Sequence, residues 1–437
     1  MKAKPNFIFI MADDLGYADL GCYGARIKST PVLDRLAASG LQFFNAYSNS
    51  PVCSPTRFAL ITGRYQYRFR GAAEEPISAH NQMVPLMAVP AGHPTLPSML
   101  RNAGYSTALI GKWHLGKPPH SGPLKSGYDE FFGSLGGGVD YFKHVGRNGK
   151  HDLYDGETEV HVEGYLTDLL SERAAQFVRN QVARDKPFLL SLHYTAPHWP
   201  WESREDAKEA ERIAGSITHT DGGSLATYYR MIEHMDEGIG RVVETLRATG
   251  QLDNTLIVFT SDNGGERFSD MWPFAGQKMD LLEGGIRVPL IAHWPARIAR
   301  GGSTTQLAIT MDWVATFLEA ADTTPPREYP LDGQSLLHVL EHPEKIFLRE
   351  LYWRMLFRRQ AAVRSGRWKY LRIGEFEYLF DLETDSRERA NLGRREPMQL
   401  AEMRRQFAAW EAGMPPIPAD AAFSLSYNEA DMPRSGT

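Results

Sequence analysis

The sequence predicts an α/β fold: a large mixed, mostly parallel sheet sandwiched by helices, followed by a smaller C-terminal α+β domain with a short antiparallel sheet. Two observations predict it. Through most of the 437 residues, short apolar runs of strand length alternate with longer amphipathic runs of helix length. Alternation on that scale builds a parallel sheet covered on both faces. After residue 343 it gives way to closely spaced strand patterns and a single helix. The chain is therefore divided into an α/β domain over 1–343 and a C-terminal α+β subdomain with an irregular tail over 344–437.

The first strand is expected over 6–12, where Phe7 to Ala12 are apolar without a break, as a strand buried on both faces requires. Residues 106–111, 187–194, 255–260 and 288–294 repeat that pattern. Between them, Thr30 and Pro31 open a helix that Gly40 stops, and Thr95 opens another ahead of Gly104. A hydroxyl cap, an early proline and a trailing glycine are start and stop signals. Residues 166–182, 225–249 and 310–321 read as amphipathic helices, with Gly250 ending the second. Further on, 361–373 reads as a hairpin containing Gly366, 378–382 as a short strand and 399–412 as a last helix. The proline-rich stretch from Met414 reads as irregular.

Hydrophobic residues make up 42% of the chain and charged residues 23%, which are globular values. A chain of this length buries a large core without staples. Lys and Arg number 48 against 53 Asp and Glu, a net charge of -5. No basic block marks a nucleic-acid binder or holds the chain on an anionic membrane. No apolar run reaches the roughly 18 residues of a transmembrane helix. The apolar stretch 7–12 is too short for a signal-peptide core, and acids follow it. The expectation is a cytoplasmic protein, or a periplasmic one if a leader was removed. Two cysteines, Cys22 and Cys53, allow at most one disulfide.

In an open α/β sheet, ligands bind beyond the carboxyl ends of the strands. Asp13 and Asp14 follow the first expected strand, Lys112 and His114 the second, His198 the third, and Asp262 and Asn263 the fourth. Asp13, Asp14, Asp262 and Asn263 are hard oxygen donors, suited to Ca²⁺, Mg²⁺ or Mn²⁺ better than Zn²⁺. Each pair is also good turn chemistry, so their convergence is the argument. Cys53 precedes Pro55, which suits a first helical turn and places the cysteine at a helix N-terminus. Arg57 lies one turn on, able to reach the same anion. The residues alone suggest an activated thiolate beside an oxyanion site, or a small buried cysteine.

Cys53-Ser54-Pro55-Thr56-Arg57 followed by Thr62-Gly63-Arg64 resembles the signature of the formylglycine-dependent sulfatases of the alkaline phosphatase superfamily. Five further segments agree in order and spacing. They are Asp13-Asp14-Leu15-Gly16, Gly111-Lys112-Trp113-His114, Ala196-Pro197-His198, Ser261-Asp262-Asn263-Gly264, and Lys278 ahead of Glu283-Gly284-Gly285-Ile286-Arg287. The resemblance runs from residue 6 to about 320. It implies an alkaline-phosphatase-like fold and hydrolysis of an aryl or carbohydrate sulfate ester. It also implies a formylglycine made from Cys53 by a maturation enzyme. One divalent cation, most often Ca²⁺, would sit on Asp13, Asp14, Asp262, Asn263 and the modified Cys53.

On that reading Arg57 helps to ionise the formylglycine hydrate, and His114 is the base that releases sulfate. Lys112, His198 and Lys278 hold the sulfate, with His198 or Lys278 protonating the leaving oxygen. Arg287 and Glu283 are expected to be structural. Asp140, His144 and His151, the tryptophans Trp199, Trp201 and Trp272, and His80 are candidates to touch the organic part of the substrate. A phosphodiester or phosphonate monoester hydrolase with the same nucleophile and metal is the first alternative. A cysteine phosphatase is less apt, because three residues rather than five separate Cys53 from Arg57. A non-catalytic binding protein that kept the fold is the remaining alternative.

Overall fold

The structure is a computed structural model that describes residues 4–184, 186–213, 222–299 and 301–425. A ten-stranded sheet forms its centre. Across the sheet the strands are Gly302–Thr304, Leu41–Phe43, Leu290–His293, Thr255–Ser261, Asn6–Ala12, Phe188–His193, Ser106–Gly111, Glu130–Gly133, Tyr154–Asp155 and Thr158–Glu159. The five from Thr255–Ser261 to Glu130–Gly133 run parallel, so their carboxyl ends share one edge. The strand expected over 288–294 is present as Leu290–His293 but runs antiparallel to Thr255–Ser261. The chain between them re-enters the sheet from the edge it has just left, which fixes that direction.

Alternate residues of the first strand feed two cores, as the period of two in a strand dictates. Phe7, Phe9 and Met11 pack with residues of the helices Cys53–Thr62, Leu96–Asn102 and Asp312–Ala320. Ile8, Ile10 and Ala12 pack with those of Pro31–Ser39, Leu166–Arg184 and Leu225–Ala248. The strand is thus buried on both faces because it is apolar on both. Truncating one such side chain, Phe9→Ala, would cost about 3–5 kcal/mol. The helix starts are those the sequence marks. Thr95 and Ser98 form a capping box, and the Ser224 hydroxyl accepts the Thr227 N–H.

A second, four-stranded antiparallel sheet follows: Glu350–Met355, Gln360–Ser365, Trp368–Ile373 and Phe376–Asp381. Its first strand was not expected. The division expected after residue 343 falls between the helix Leu337–Glu341 and that strand. One face of the sheet packs on the helix Pro397–Ala412 through Val363, Tyr370, Met403 and Phe407. Leu351, Trp353 and Leu371 pack instead with Tyr47, Val52 and Met311 of the main domain. Of the expected irregular tail, residues 426–437 lie outside the described residues. Among the described residues no helix is long and apolar enough to cross a membrane.

Candidate active site

Asp13, Asp14, Asp262 and Asn263 leave the ends of two neighbouring parallel strands and are all buried. One carboxylate oxygen from each aspartate lies within 4.8 Å of the other two. Each carboxylate has a cation against it. Lys112 Nζ contacts Asp13 Oδ2, Lys278 Nζ lies 2.6 Å from Asp14 Oδ2, and Arg57 reaches Asp262 Oδ2 at 2.8 Å. Arg57 also lies 3.6 Å from Asp13. Burial alone would raise the Asp14 carboxyl, but Lys278, His198 and Lys112 bring it down to about 2. Burial and the Asp13 charge push Asp262 up to about 6, against Arg57 and Lys112.

The Asn263 side-chain N–H donates to Asp14 at 2.7 Å, whereas its Oδ1 is buried with no hydrogen-bond partner among the described residues. A buried acceptor without a donor is costly unless something electropositive meets it. Three carboxylates and that amide oxygen are a hard-cation donor set, and they fit Ca²⁺, Mg²⁺ or Mn²⁺.

Cys53 is the first residue of the helix Cys53–Thr62, as Pro55 suggested. It is buried, and its Sγ lies 3.6 Å from Asp13 Oδ1. Sγ, an Asp13 oxygen and a His198 nitrogen again fall within 4.8 Å of one another. Burial pushes the thiol up to about 12, although Lys112 and Lys278 pull the other way. The thiolate that the helix N-terminus suggested is therefore not favoured.

Asp14 and His114 both adopt positive φ, 63° each. Non-glycine residues seldom do so, and such strain clusters at functional positions. The His114 ring bonds the Ile77 carbonyl through Nε2 at 2.9 Å, so Nε2 carries the proton. Its buried Nδ1 has no partner among the described residues. Burial, with Lys112 adding, holds this imidazole well below its usual range. Gly137 lies beside the ring, and a Cβ there would fall 2.5 Å from it. His198 donates Nδ1–H to the Trp199 carbonyl at 2.5 Å, which leaves Nε2 facing Asp14 at 3.6 Å. Burial, then Lys278, lowers it to about 3.

Cys53, His114, His198 and Lys278 open into one cavity of about 280 Å³. Gly136–138, Trp199 and His80 line it. Asp140, expected to touch substrate, is not among its lining residues. Its carboxylate accepts the backbone N–H groups of Phe142, Lys143 and Val145, so it shapes its own loop. His151 bonds the Lys143 and Val160 carbonyls instead. His144 is buried, Trp201 packs on Phe268 and Arg267, and Trp272 lies under Arg387. The sequence did not single out Gln82, Lys117, Asp152 or the distant Ser424 and Leu425, yet all line the cavity. Asp152 pairs with Lys117 at 3.0 Å and accepts the Gly136 N–H at 2.7 Å. Both cysteines are free.

A parallel sheet that gathers acids, cations and a helix-borne cysteine at one edge is the arrangement of an enzyme that acts on an anionic ester. The comparisons place it more closely. The sulfatase family model matches residues 5–323, and the C-terminal model of N-sulphoglucosamine sulphohydrolase matches residues 276–409. N-acetylgalactosamine-6-sulfatase of Rattus norvegicus is 34% identical over 371 residues, 78% of this chain and 67% of the relative. The Homo sapiens protein of that name is 35% identical over 362 residues, 77% of this chain and 66% of the relative. The chain thus spans about two thirds of the length of these curated relatives. A crystal structure of Ps i-CgsB in complex with k-i-k-neocarrahexaose superimposes with a TM-score of 0.81 at 33% identity, covering 93% of both chains. The chain belongs to the sulfatase family, whose members hydrolyse sulfate esters.

Proposed function

We propose that the protein hydrolyses a sulfate ester on a saccharide, using a formylglycine made from Cys53. The observation that carries this is the position of Cys53. It starts a buried helix, faces three clustered carboxylates, and opens with Lys278, His114 and His198 into a cavity. The saccharide is supported by the relatives, named for N-acetylgalactosamine-6-sulfate or bound to a neocarrahexaose. The polar lining residues Gln82, Lys117 and Asp152 suit hydroxyl recognition.

Asp13, Asp14, Asp262 and Asn263 would hold a divalent cation, which supplies positive charge to acidify a hydroxyl and to neutralise sulfate. Arg57, Lys112 and Lys278 already balance the three carboxylates, so added positive charge leaves a net surplus for an anion. One hydroxyl of the formylglycine hydrate attacks sulfur, and the alcohol leaves on the far side. Lys278 gives that oxygen its proton, since the one N–H of the neutral His198 ring is held by the Trp199 carbonyl. His114 Nδ1 then takes the proton of the second hydroxyl. The C=O bond re-forms, the bond from that carbon to the sulfate oxygen breaks, and sulfate leaves with the electron pair.

The tryptic peptide 36–57 from protein co-produced with a maturation enzyme tests this. It should be lighter than the thiol form and should react with a hydrazide, and the protein should release sulfate from 6-sulfated N-acetylgalactosamine. An active protein that holds only the thiol would overturn the formylglycine reading. Faster turnover of an aryl phosphodiester than of any sulfate ester would overturn the substrate class.

A further inference from the structure

His114 keeps Nδ1 free because Nε2–H is taken by the Ile77 carbonyl, and what holds that carbonyl is far away in sequence. Ile77 belongs to the segment Glu75-Pro76-Ile77. Its N–H donates to the Ser54 hydroxyl at 2.9 Å, beside Cys53. From the other side the segment is clasped by the end of the described chain. Glu75 and Phe423 pair as a parallel bridge, in which Glu75 N–H donates to the Ala422 carbonyl at 3.1 Å and Ser424 N–H to the Glu75 carbonyl at 3.2 Å. The Ser424 hydroxyl donates to the Pro76 carbonyl at 2.6 Å, across 348 residues of sequence. Phe423 stacks on Phe357 with ring centroids 4.3 Å apart. The Glu75 carboxylate accepts the N–H groups of Leu356 and Phe357 at 2.7 and 3.1 Å. Ser424 and Leu425 then line the same cavity as Cys53 and His114.

We infer that residues 422–425 are a working part of the active site: Ser424 and Phe423 are positioning residues that set His114, through Pro76 and Ile77, and Leu425 is cavity wall. This rests on the sulfatase reading and assigns to the C-terminal segment the release of sulfate from the enzyme. Loss of the Ser424 hydroxyl frees the Pro76 carbonyl and lets Ile77 move from His114 Nε2. The imidazole is then no longer held with Nδ1 toward the hemiacetal hydroxyl. Attack on sulfur does not need that base, but expulsion of sulfate does. The sulfated enzyme should therefore accumulate.

The test is rapid-quench kinetics of the matured full chain with an aryl sulfate, comparing wild type, Ser424→Ala, Ser424→Thr and Phe423→Ala. Ser424→Ala should show a burst of released phenol, a parallel fall of about tenfold in steady-state kcat and in KM that leaves kcat/KM near the wild-type value, and peptide 36–57 carrying a covalent sulfate. Ser424→Thr, which keeps the hydroxyl, should restore turnover, and Phe423→Ala should behave like Ser424→Ala. An aldehyde-bearing Ser424→Ala enzyme that turns over like wild type, or loses rate with no burst and no adduct, overturns the inference. Wild type lacking the aldehyde or sulfate release would instead overturn the sulfatase reading, and the inference with it.

Discussion

The carboxylates at the edge of the main sheet and the Glu283–Lys369–Glu388 group beneath the second sheet are both buried ion clusters. They differ in what they leave open. Lys369 Nζ lies 2.9 Å from Glu283 and 2.8 Å from Glu388. Glu283 also takes Arg287 at 3.1 Å and the Tyr47 hydroxyl at 2.8 Å. Burial alone would raise the Glu283 carboxyl, yet Lys369, Arg287 and Arg364 bring it down to about 2. None of Glu283, Arg287, Lys369 and Glu388 lines the cavity. They tie a turn of the main domain to the strand Trp368–Ile373, the structural part expected of Arg287 and Glu283. The sheet-edge cluster instead leaves Asn263 Oδ1 and His114 Nδ1 unpaired and opens into a cavity. Buried charge by itself does not mark a site; buried charge with unused valences beside a cavity does.

The largest effect that could break this contrast comes from one substitution in each region. Cys53→Ala should lower sulfate release by about a thousandfold or more. It should leave the thermal midpoint near that of wild type, since it removes one small buried atom. Lys369→Met should do the reverse. It strands two carboxylates in the interior and should cost about 3–5 kcal/mol, while kcat per folded molecule stays within about twofold. Thermal unfolding and active-site-normalised kinetics on both variants check this. A stable but inactive Lys369→Met would show that the second cluster is catalytic and dissolve the distinction.

A smaller effect concerns the cation. Ca²⁺ should raise the melting temperature of wild type, by up to about 4 kcal/mol of stabilisation at a thousandfold excess over the dissociation constant. It should also give measurable heat in titration calorimetry. Asp262→Ala and Asn263→Ala should abolish both signals, and Lys369→Met should keep them. Retention of the calcium response in Asn263→Ala would mean that the free amide oxygen is not a ligand.

The central strands Asn6–Ala12, Ser106–Gly111, Phe188–His193 and Thr255–Ser261 were legible because each is a mostly apolar run, and three of them end directly in a charged turn. Asp13, Asp262 and Lys112 stand within two residues of those ends, so topology alone brings them together. The edge strands were not legible, since Tyr154–Asp155 and Thr158–Glu159 are too short to show a period. Glu350–Met355 does alternate, with Leu351, Trp353 and Met355 inward, but its buried Arg354 blurs the pattern. The backbone N–H groups that Asp140 accepts were not legible, because an aspartate in a glycine-rich loop looks the same whether it meets a ligand or its own backbone. Ser424 left no local trace, because its meaning lies in a contact 348 residues away.

The smallest effect sharpens the contrast at an acid with no cation beside it. Glu202 is fully buried behind the cavity and accepts the Tyr141 N–H at 2.9 Å through Oε2. Its Oε1 has no hydrogen-bond partner among the described residues. The Tyr141 hydroxyl in turn donates to the His198 carbonyl at 2.8 Å. Burial, with Asp140 adding, pushes the Glu202 carboxyl up to about 8 from 4.5. A folded-state value raised above the unfolded one means that the fold prefers the protonated acid. The associated stability is fully present below about pH 4.5, declines as pH rises, and is gone above about pH 8. Glu202→Gln has no such titration. Its melting temperature should therefore gain on wild type by a few degrees between about pH 5 and about pH 8, and level off above that. Asp14 and Glu283, held at about 2 by cations, should contribute no slope in that window. A difference between Glu202→Gln and wild type that stays constant with pH would mean that Glu202 is ionised in the fold. It would then belong with the two paired clusters, and the region behind the cavity would be held by charge and not by a neutral acid.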